Sequence, residues 1–95
     1  MSIAIGTQVW IPCEVKPGPL DERLVRVVSS AGEWVGFVPT ASLRENVEHG
    51  PSWASATVLD LDETTVTVQF SGHPITPTVF RSDRAGVEPR AALQA

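Results

Sequence analysis

The feature that most limits the fold of this chain is a strand-like run that stops at a proline. Residues 33–38 read EWVGFV, and aromatic and β-branched side chains of this kind pack well on a pleated sheet. Pro39 follows at once, and because proline lacks a backbone N–H it cannot continue a hydrogen-bonded ladder. Residues 40–45 are too few for a stable helix, so the sequence predicts a single 3₁₀ turn there.

Short β-type segments separated by turns fill the rest of the chain. The predicted strands are residues 7–15, 23–30, 53–61, 65–70, 76–81 and 87–89. Within 65–70, three apolar residues alternate with threonine and glutamine, which places the apolar set on one face of a sheet. Pro12 confines this first segment to an edge, a bulge or a strand end, and we expect a bent first strand. Residues 16–22, rich in proline and acids, predict a loop, and residues 62–64, which include two acids, predict a hairpin turn.

These elements predict a small all-β barrel of five to seven short, mostly antiparallel strands with one or two 3₁₀ turns. Residues 82–85 are the second candidate turn. At 95 residues we expect a single domain over 1–90 and a flexible tail at 91–95. Two fused, half-sized barrels joined at residues 46–52 are the alternative, because residues 79–89 also read as a strand, a turn and a closing apolar residue.

Composition and charge exclude several classes of function. The net charge is −4, and the seven lysine and arginine residues are spread along the chain, which disfavours nucleic acid as a partner. No stretch approaches the roughly 18 apolar residues that span a membrane, and the first residues lack the pattern of a secretory leader. Cys13 stands alone and cannot form an internal disulfide. We therefore expect a cytoplasmic protein that makes no membrane contact.

The sequence also carries no sign of a metal site, a cofactor site or a catalytic site. His49 and His73 are 24 residues apart, and neither forms a close ligand pair with Cys13. Glycine-rich phosphate loops, nucleophile elbows and paired catalytic carboxylates are missing from the sequence. We expect a protein without cofactors that is not an enzyme, in which Cys13 is a small buried apolar residue.

Residues 36–43, GFVPTASL, resemble the signature that closes the barrel of SH3-like domains. In that signature a glycine and an apolar pair lead into proline, one 3₁₀ turn and a final apolar residue, which here is Leu43. Trp34 lies where SH3-like domains often carry a tryptophan, and residues 16–22 resemble the long loop after their first strand. The resemblance implies that the predicted barrel is SH3-like and that Leu43 plugs its end.

Two shorter segments resemble other members of the same broad class. Residues 6–12, GTQVWIP, are similar to the start of the SH3-like subdomain that precedes myosin motors, and the spacing from Trp53 to Val58 fits that comparison. Residues 35–43 resemble a run in type II dihydrofolate reductases, which are tetramers of SH3-like barrels. Gly36 and Val38 stand where those reductases carry their catalytic glutamine and tyrosine.

The resemblance to SH3-like domains implies a non-catalytic interaction module that binds a protein or an extended peptide in an aromatic and acidic groove. The residues predicted to bind the partner are Trp34, Trp53, Asp21, Glu22, Phe37 and Pro39. Core packing is the alternative for the aromatic residues, and a solvated loop is the alternative for the two acids. A second hypothesis is a self-assembling homo-oligomeric barrel with a central pocket for a small ligand. A third is an accessory subunit docked on a larger assembly.

Overall fold

The fold is built almost entirely of β-strands. The computed structural model describes residues 3–30, 32–71, 73–74 and 79–90. The strands are β1 (Gln8–Pro17), β2 (Glu22–Ser29), β3 (Gly32–Pro39), β4 (Gly50–Leu61), β5 (Thr65–Phe70), β6 (His73–Pro74), β7 (Val79–Asp83) and β8 (Glu88–Pro89). One 3₁₀ turn, Thr40–Ser42, directly follows Pro39. The predicted all-β class is confirmed. Among the described residues no helix is both long and apolar enough to cross a membrane.

All strand pairs are antiparallel and belong to one sheet in the order β6-β3-β2-β1-β4-β5-β7, with β8 paired to β1. The six longer strands curl into a nearly closed barrel, as expected for a small SH3-like barrel. The end of β2 and the turn after it are hydrogen-bonded to β7. The Ser29 hydroxyl donates to the Arg81 carbonyl at 2.9 Å, and the Ser30 N–H donates to Asp83 Oδ2 at 3.0 Å. The Ser30 hydroxyl donates to the other oxygen of the same carboxylate.

Strand β1 is paired on both of its edges. One edge runs along β4 from Gln8 to Val15. The other edge meets β8 at Val9 and Trp10 and meets β2 from Glu14 onward. Pro12 lies in the interval between β8 and β2, where a residue without a backbone N–H removes no ladder bond. The prediction of an edge or a strand end is therefore wrong, because β1 is a central strand and Pro12 occupies a short unpaired interval along one side of it.

The inward faces of the strands form one apolar core. Alternation at a period of two buries Val9, Ile11, Cys13, Val15, Val25, Val27, Trp34, Val38, Val66, Val68 and Phe70, with further members from β4 and β7. The rings of Trp34 and Phe70 lie 4.3 Å apart between centroids. Leu43 is buried after the 3₁₀ turn and forms an isolated bridge with Ala54 on β4. The predicted turn and the burial of Leu43 are both confirmed.

The connection between β1 and β2 is much shorter than the predicted loop. Residues 16–17 extend β1 and Glu22 begins β2, which leaves only residues 18–21 as a turn. A Cβ atom on Gly18 would lie 2.8 Å from the Glu22 carbonyl oxygen, so glycine permits this close approach. Leu20 has a φ of 52° and its side chain is 95% exposed at the tip. The long loop implied by the SH3-like resemblance is wrong, because Gly18 lets the two strands meet early.

Other boundaries also differ from the sequence expectations. β4 begins at Gly50 instead of Trp53, because it pairs with β1 as far as Val15. Ser82 and Asp83 belong to β7 and pair with β5, so the second 3₁₀ turn predicted there is wrong. Residues 76–78 of the predicted strand 76–81 lie outside the described residues, as does the predicted tail 91–95. The domain boundary at residue 90 stays a prediction.

The acidic residues between β4 and β5 form the predicted hairpin turn. Asp62 accepts the backbone N–H of Thr64 at 2.9 Å and that of Thr65 at 2.8 Å. The Thr65 hydroxyl donates to the second carboxylate oxygen at 3.0 Å. These three hydrogen bonds favour the charged carboxylate and lower the pKa of Asp62 from 3.8 to about 2.

The first prediction concerns Gly18. Replacing Gly18 with alanine places the new methyl group against the Glu22 backbone, which cannot move without disturbing the start of β2. We expect a destabilisation of about 1–3 kcal/mol, measured as a lower urea midpoint of unfolding. Lys16→Ala, an exposed change on the neighbouring strand, is the control and should shift stability by less than about 0.5 kcal/mol. Equal effects of the two variants would contradict the close approach.

The second prediction concerns the pH dependence of the β4–β5 turn. Because folding lowers the pKa of Asp62, its contribution to stability is present above the unfolded pKa of 3.8 and is lost as the pH falls through the folded pKa of about 2. NMR titration should show a carboxyl midpoint of about 2 for Asp62. Asp62→Asn should remove this part of the acid dependence of unfolding, whereas Glu63→Gln, at the adjacent exposed position, should retain it. An unshifted Asp62 midpoint would contradict the hydrogen bonds described.

Candidate functional site

The residues predicted to bind a partner fall into three separate places. Trp34 is in the core: its side chain is 1% exposed, packs on Phe70 and cannot meet a partner at the surface. Its indole N–H is buried and has no hydrogen-bond partner among the residues that the structure describes. The core-packing alternative therefore holds for Trp34, and its prediction as a partner-binding surface residue is corrected. Alternate side chains of β3 point into the barrel, and position 34 is one of them.

Four other predicted residues lie together beside the 3₁₀ turn. Glu22 on β2 is directly opposite Pro39 on β3, and Phe37 lies opposite Leu24 two positions along. The Thr40 N–H donates to the Asp21 carbonyl at 2.8 Å, which holds the β1–β2 turn against the 3₁₀ turn. Asp21 is exposed, while Glu22, Phe37 and Pro39 are partly exposed. These four residues, Asp21, Glu22, Phe37 and Pro39, form a surface that we call the turn patch.

Trp53 lies in a different place, on the outer face of the sheet. It is directly opposite Pro12, because β4 and β1 are in register from Gln8 to Val15. An open groove of about 540 Å³ runs over this face. It is lined by Pro12, Cys13, Glu14, Arg26, Val28, Glu45, Pro51, Ser52 and Trp53, and we call it the outer groove.

Strand alternation explains how the outer groove is built. Val9, Ile11, Cys13 and Val15 point into the core, so Pro12 and Glu14 of the same strand point outward. Arg26 and Val28 point outward from β2 in the same way, and the side chain of Val28 is 67% exposed. The groove extends from the paired residues Glu14 and Arg26 to Pro12, where β1 is paired with neither β2 nor β8. Two prolines, a valine and a tryptophan give it an apolar surface.

Three charged side chains line the outer groove, and of these three only Arg26 is in an ion pair among the residues that the structure describes. Arg26 is engaged by Glu33 on β3, with a distance of 2.6 Å between Nε and Oε2. Glu14 and Glu45 also line the groove and are both exposed, and within the described residues neither forms an ion pair. The groove therefore combines apolar side chains with two exposed carboxylates that form no ion pair among the described residues, which suits a partner that carries both apolar and cationic side chains.

Cys13 is a core residue that also lines the outer groove, and its thiol is unreactive at neutral pH. Burial of the thiol, with a smaller contribution from the nearby Glu14 carboxylate, raises the pKa of Cys13 to about 12. At neutral pH the side chain is therefore a protonated thiol, and a thiolate is required for nucleophilic attack or metal binding. Among the described residues, no three His, Cys, Asp or Glu side chains are grouped to hold a metal ion.

Two arginine side chains lie over tryptophan rings: Arg44 lies over Trp53, which lines the outer groove, and Arg90 lies over Trp10. The Arg44 guanidinium carbon lies 5.6 Å from the centre of the Trp53 ring, and Arg44 Nη1 is 2.9 Å from Glu88 Oε1 on β8. The Arg90 guanidinium lies 4.8 Å from the Trp10 ring. Its Nη1 also donates to Ser55 Oγ at 2.7 Å and to the Gln8 side chain at 2.8 Å. Both contacts are cation–π arrangements, each of which contributes about 0.5–1 kcal/mol when exposed.

Sequence reasoning found Trp53 but missed the residues around it. Pro12, Glu14, Val28, Glu45 and Pro51 line the groove without having been singled out. A signal existed for the first two, because the alternation of residues 9–15 already places them on the face opposite the core. The pairing that brings Pro51 and Trp53 beside them joins distant segments and leaves no local sign in the sequence.

No protein-family model, no curated protein and no solved structure matches this chain. The SH3-like resemblance of residues 36–43 therefore stays a prediction of kinship, while the barrel itself follows from the observed strand pairing. The outer groove and the turn patch have to be interpreted from their own chemistry.

The third prediction follows from the position of Trp34. Trp34→Ala leaves a cavity beside Phe70 and should cost about 3–5 kcal/mol of unfolding free energy. Trp34→Phe keeps a ring against Phe70 and removes the unpaired indole N–H, so it should cost much less than the alanine variant. Urea unfolding of both variants checks this order. Similar losses for the two variants would contradict the packing described.

Proposed function

We propose that this protein is a non-catalytic, SH3-like interaction module that binds an extended segment of a protein partner in the outer groove. The observation that carries the proposal is the combination of the Trp53 indole, the surfaces of Pro12 and Pro51, and two acidic side chains at one open groove. Large aromatic side chains supply much of the contact area where proteins bind each other, and a groove is the shape that admits an extended chain.

The apolar part of the outer groove supports a segment with proline or aliphatic side chains. Trp53 offers a broad planar surface with few rotatable bonds, so little conformational entropy is lost when a partner packs on it. Pro12 and Pro51 are rigid for the same reason, and both lie on paired strands. Val28 adds an exposed apolar side chain from β2. A groove of this kind is largely formed before the partner arrives.

The acidic part of the outer groove supports a lysine or arginine in the same segment. Glu14 and Glu45 line the groove, and Arg26 is compensated by Glu33. The net charge of −4 also favours the approach of a cationic partner and opposes that of nucleic acid. Such charges act mainly on the association rate and on the choice of partner.

The turn patch is the alternative binding surface on the same protein. The SH3-like resemblance implies that Asp21, Glu22, Phe37 and Pro39 contribute to partner binding, and these residues are adjacent in the structure. We prefer the outer groove because it is a concave surface that contains Trp53. Trp34 supports both surfaces only indirectly, because it packs in the core that stabilises the whole barrel.

The fourth prediction tests the proposal with defined peptides. A peptide of about ten residues, composed of prolines and leucines with one central arginine, should shift the NMR signals of the Trp53 indole and the Glu14 amide. A matched peptide with glutamate in place of arginine should bind more weakly. Glu14→Gln and Glu45→Gln should each weaken binding of the arginine peptide roughly two- to five-fold, because each removes one exposed charge pair.

Two controls accompany this titration. Glu63→Gln makes the same change in the β4–β5 turn and should leave the affinity unchanged. Asp21→Asn tests the turn patch, and a larger effect there than at Glu14 would move the binding surface to that patch. A Trp53 indole signal that responds to none of the peptides would count against the outer groove.

The self-assembling barrel stays a second prediction, and the same samples address it. Sedimentation at the concentration of the NMR titration should show a monomer if the outer groove is free for a partner. A stable tetramer would instead favour the homo-oligomer with a central ligand pocket. We also retain the cytoplasm as the proposed location, because a lone thiol such as that of Cys13 is typical of proteins in reducing compartments.

A further inference from the structure

Arg44 connects the outer groove to β8 through three contacts. Its backbone N–H donates to the Trp53 carbonyl at 2.9 Å, which ties the chain after the 3₁₀ turn to β4. Its guanidinium carbon lies 5.6 Å from the centre of the Trp53 ring. Its Nη1 atom lies 2.9 Å from Glu88 Oε1. Trp53 lines the outer groove and Arg44 does not, so Arg44 can act on the groove only through Trp53.

Glu88 is itself held in place by strand pairing. It lies on β8 directly opposite Trp10, and the following residues continue the contact, since the Arg90 N–H donates to the Gln8 carbonyl at 3.0 Å. A continuous set of contacts therefore runs from the β1–β8 ladder through Glu88 and Arg44 to the Trp53 indole. A tryptophan on the outer face of a strand can otherwise change rotamer with little resistance from neighbours.

We propose that Arg44 and Glu88 are positioning residues that hold the Trp53 indole as a wall of the outer groove. In this arrangement β8 is part of the binding site although it does not line the groove. The inference rests on the proposed function, because it assigns these residues a role in the binding of the same extended, cation-bearing segment. Fixing the indole before the partner arrives strengthens binding by reducing the conformational entropy lost on association.

The ion pair between Arg44 and Glu88 is exposed, which favours a role in positioning Trp53 over a role in stabilising the fold. The side chains of Arg44 and Glu88 are 45% and 51% exposed. Pairs with this much exposure contribute little to folding stability, because water and salt screen them and ordering two long side chains opposes them. Breaking the pair should therefore leave the barrel intact and change the behaviour of Trp53 alone.

The test uses the full chain, the arginine peptide described above and three variants: Glu88→Gln, Arg44→Met and the double variant. Methionine keeps much of the apolar stem of arginine and removes its charge, and glutamine keeps the shape of glutamate. We expect each single variant to bind the peptide roughly two- to five-fold more weakly than the original protein. The double variant should be no weaker than Arg44→Met, since Glu88 acts through Arg44.

Two further measurements separate positioning from a general structural effect. ¹⁵N relaxation of the indole N–H groups should show greater mobility for Trp53 in the variants and no change for the buried Trp34. The urea midpoint should stay at that of the original protein. Glu63→Gln is the matched control for loss of one exposed carboxylate, and it should change neither the affinity nor the Trp53 relaxation.

The outcomes distinguish failure of this inference from failure of the proposed function. If the arginine peptide binds the original protein and Glu88→Gln binds it equally well, the positioning role is overturned and the groove stands. The same conclusion follows if Trp53 relaxation is unchanged in both single variants. If the peptide does not bind the original protein, the proposed function fails, and the role of Arg44 and Glu88 in binding fails with it.

Discussion

The pairing of β1 on both edges is the constraint on which the rest of the molecule depends. β1 joins the β2–β3 hairpin to the β4–β5 hairpin, and it also receives β8. Because its side chains alternate, the same strand supplies core residues such as Ile11 and groove residues such as Pro12. Register along β1 therefore fixes the core and the outer groove together, and a slip of one residue would exchange them.

Different kinds of contact support the core of this barrel and the proposed binding surface. The core is apolar and dense, with Trp34, Phe70 and Phe80 in successive ring contacts. The outer face around Trp53 is arranged by exposed ion pairs and arginine–tryptophan contacts, which are weak individually and sensitive to salt. A few substitutions can therefore rearrange this surface while the core continues to specify the fold.

The features that could be predicted from the sequence are those with a local cause. Pro39 ends its strand and the next residues are too few for a helix, so the 3₁₀ turn and the burial of Leu43 follow from neighbouring residues. The alternation in β5 is equally local. The burial of Trp34 has a weaker local sign, because the next residue on the same face of β3, Gly36, is buried but has no apolar side chain to mark that face as the inner one.

Features that depend on distant segments could not be predicted. The short β1–β2 turn results from the approach of Gly18 to the backbone of Glu22, and the composition of residues 16–22 suits a long loop equally well. The outer groove needs β4 beside β1, so Trp53 could be singled out as an aromatic residue while its neighbours could not. Kinship to SH3-like domains is a separate matter from the barrel, and the residues alone support only the barrel.

The buried thiol of Cys13 also gives the protein a built-in reporter of its own opening. Cys13 lies on β1 between the core and the outer groove, and its pKa of about 12 keeps it protonated in the closed barrel. An alkylating reagent reacts with thiolate and needs access to sulfur, so it will label this residue chiefly while β1 is separated from a neighbouring strand. The labelling rate thus measures how often the central strand of the sheet comes free, with no reporter residue having to be engineered into the chain.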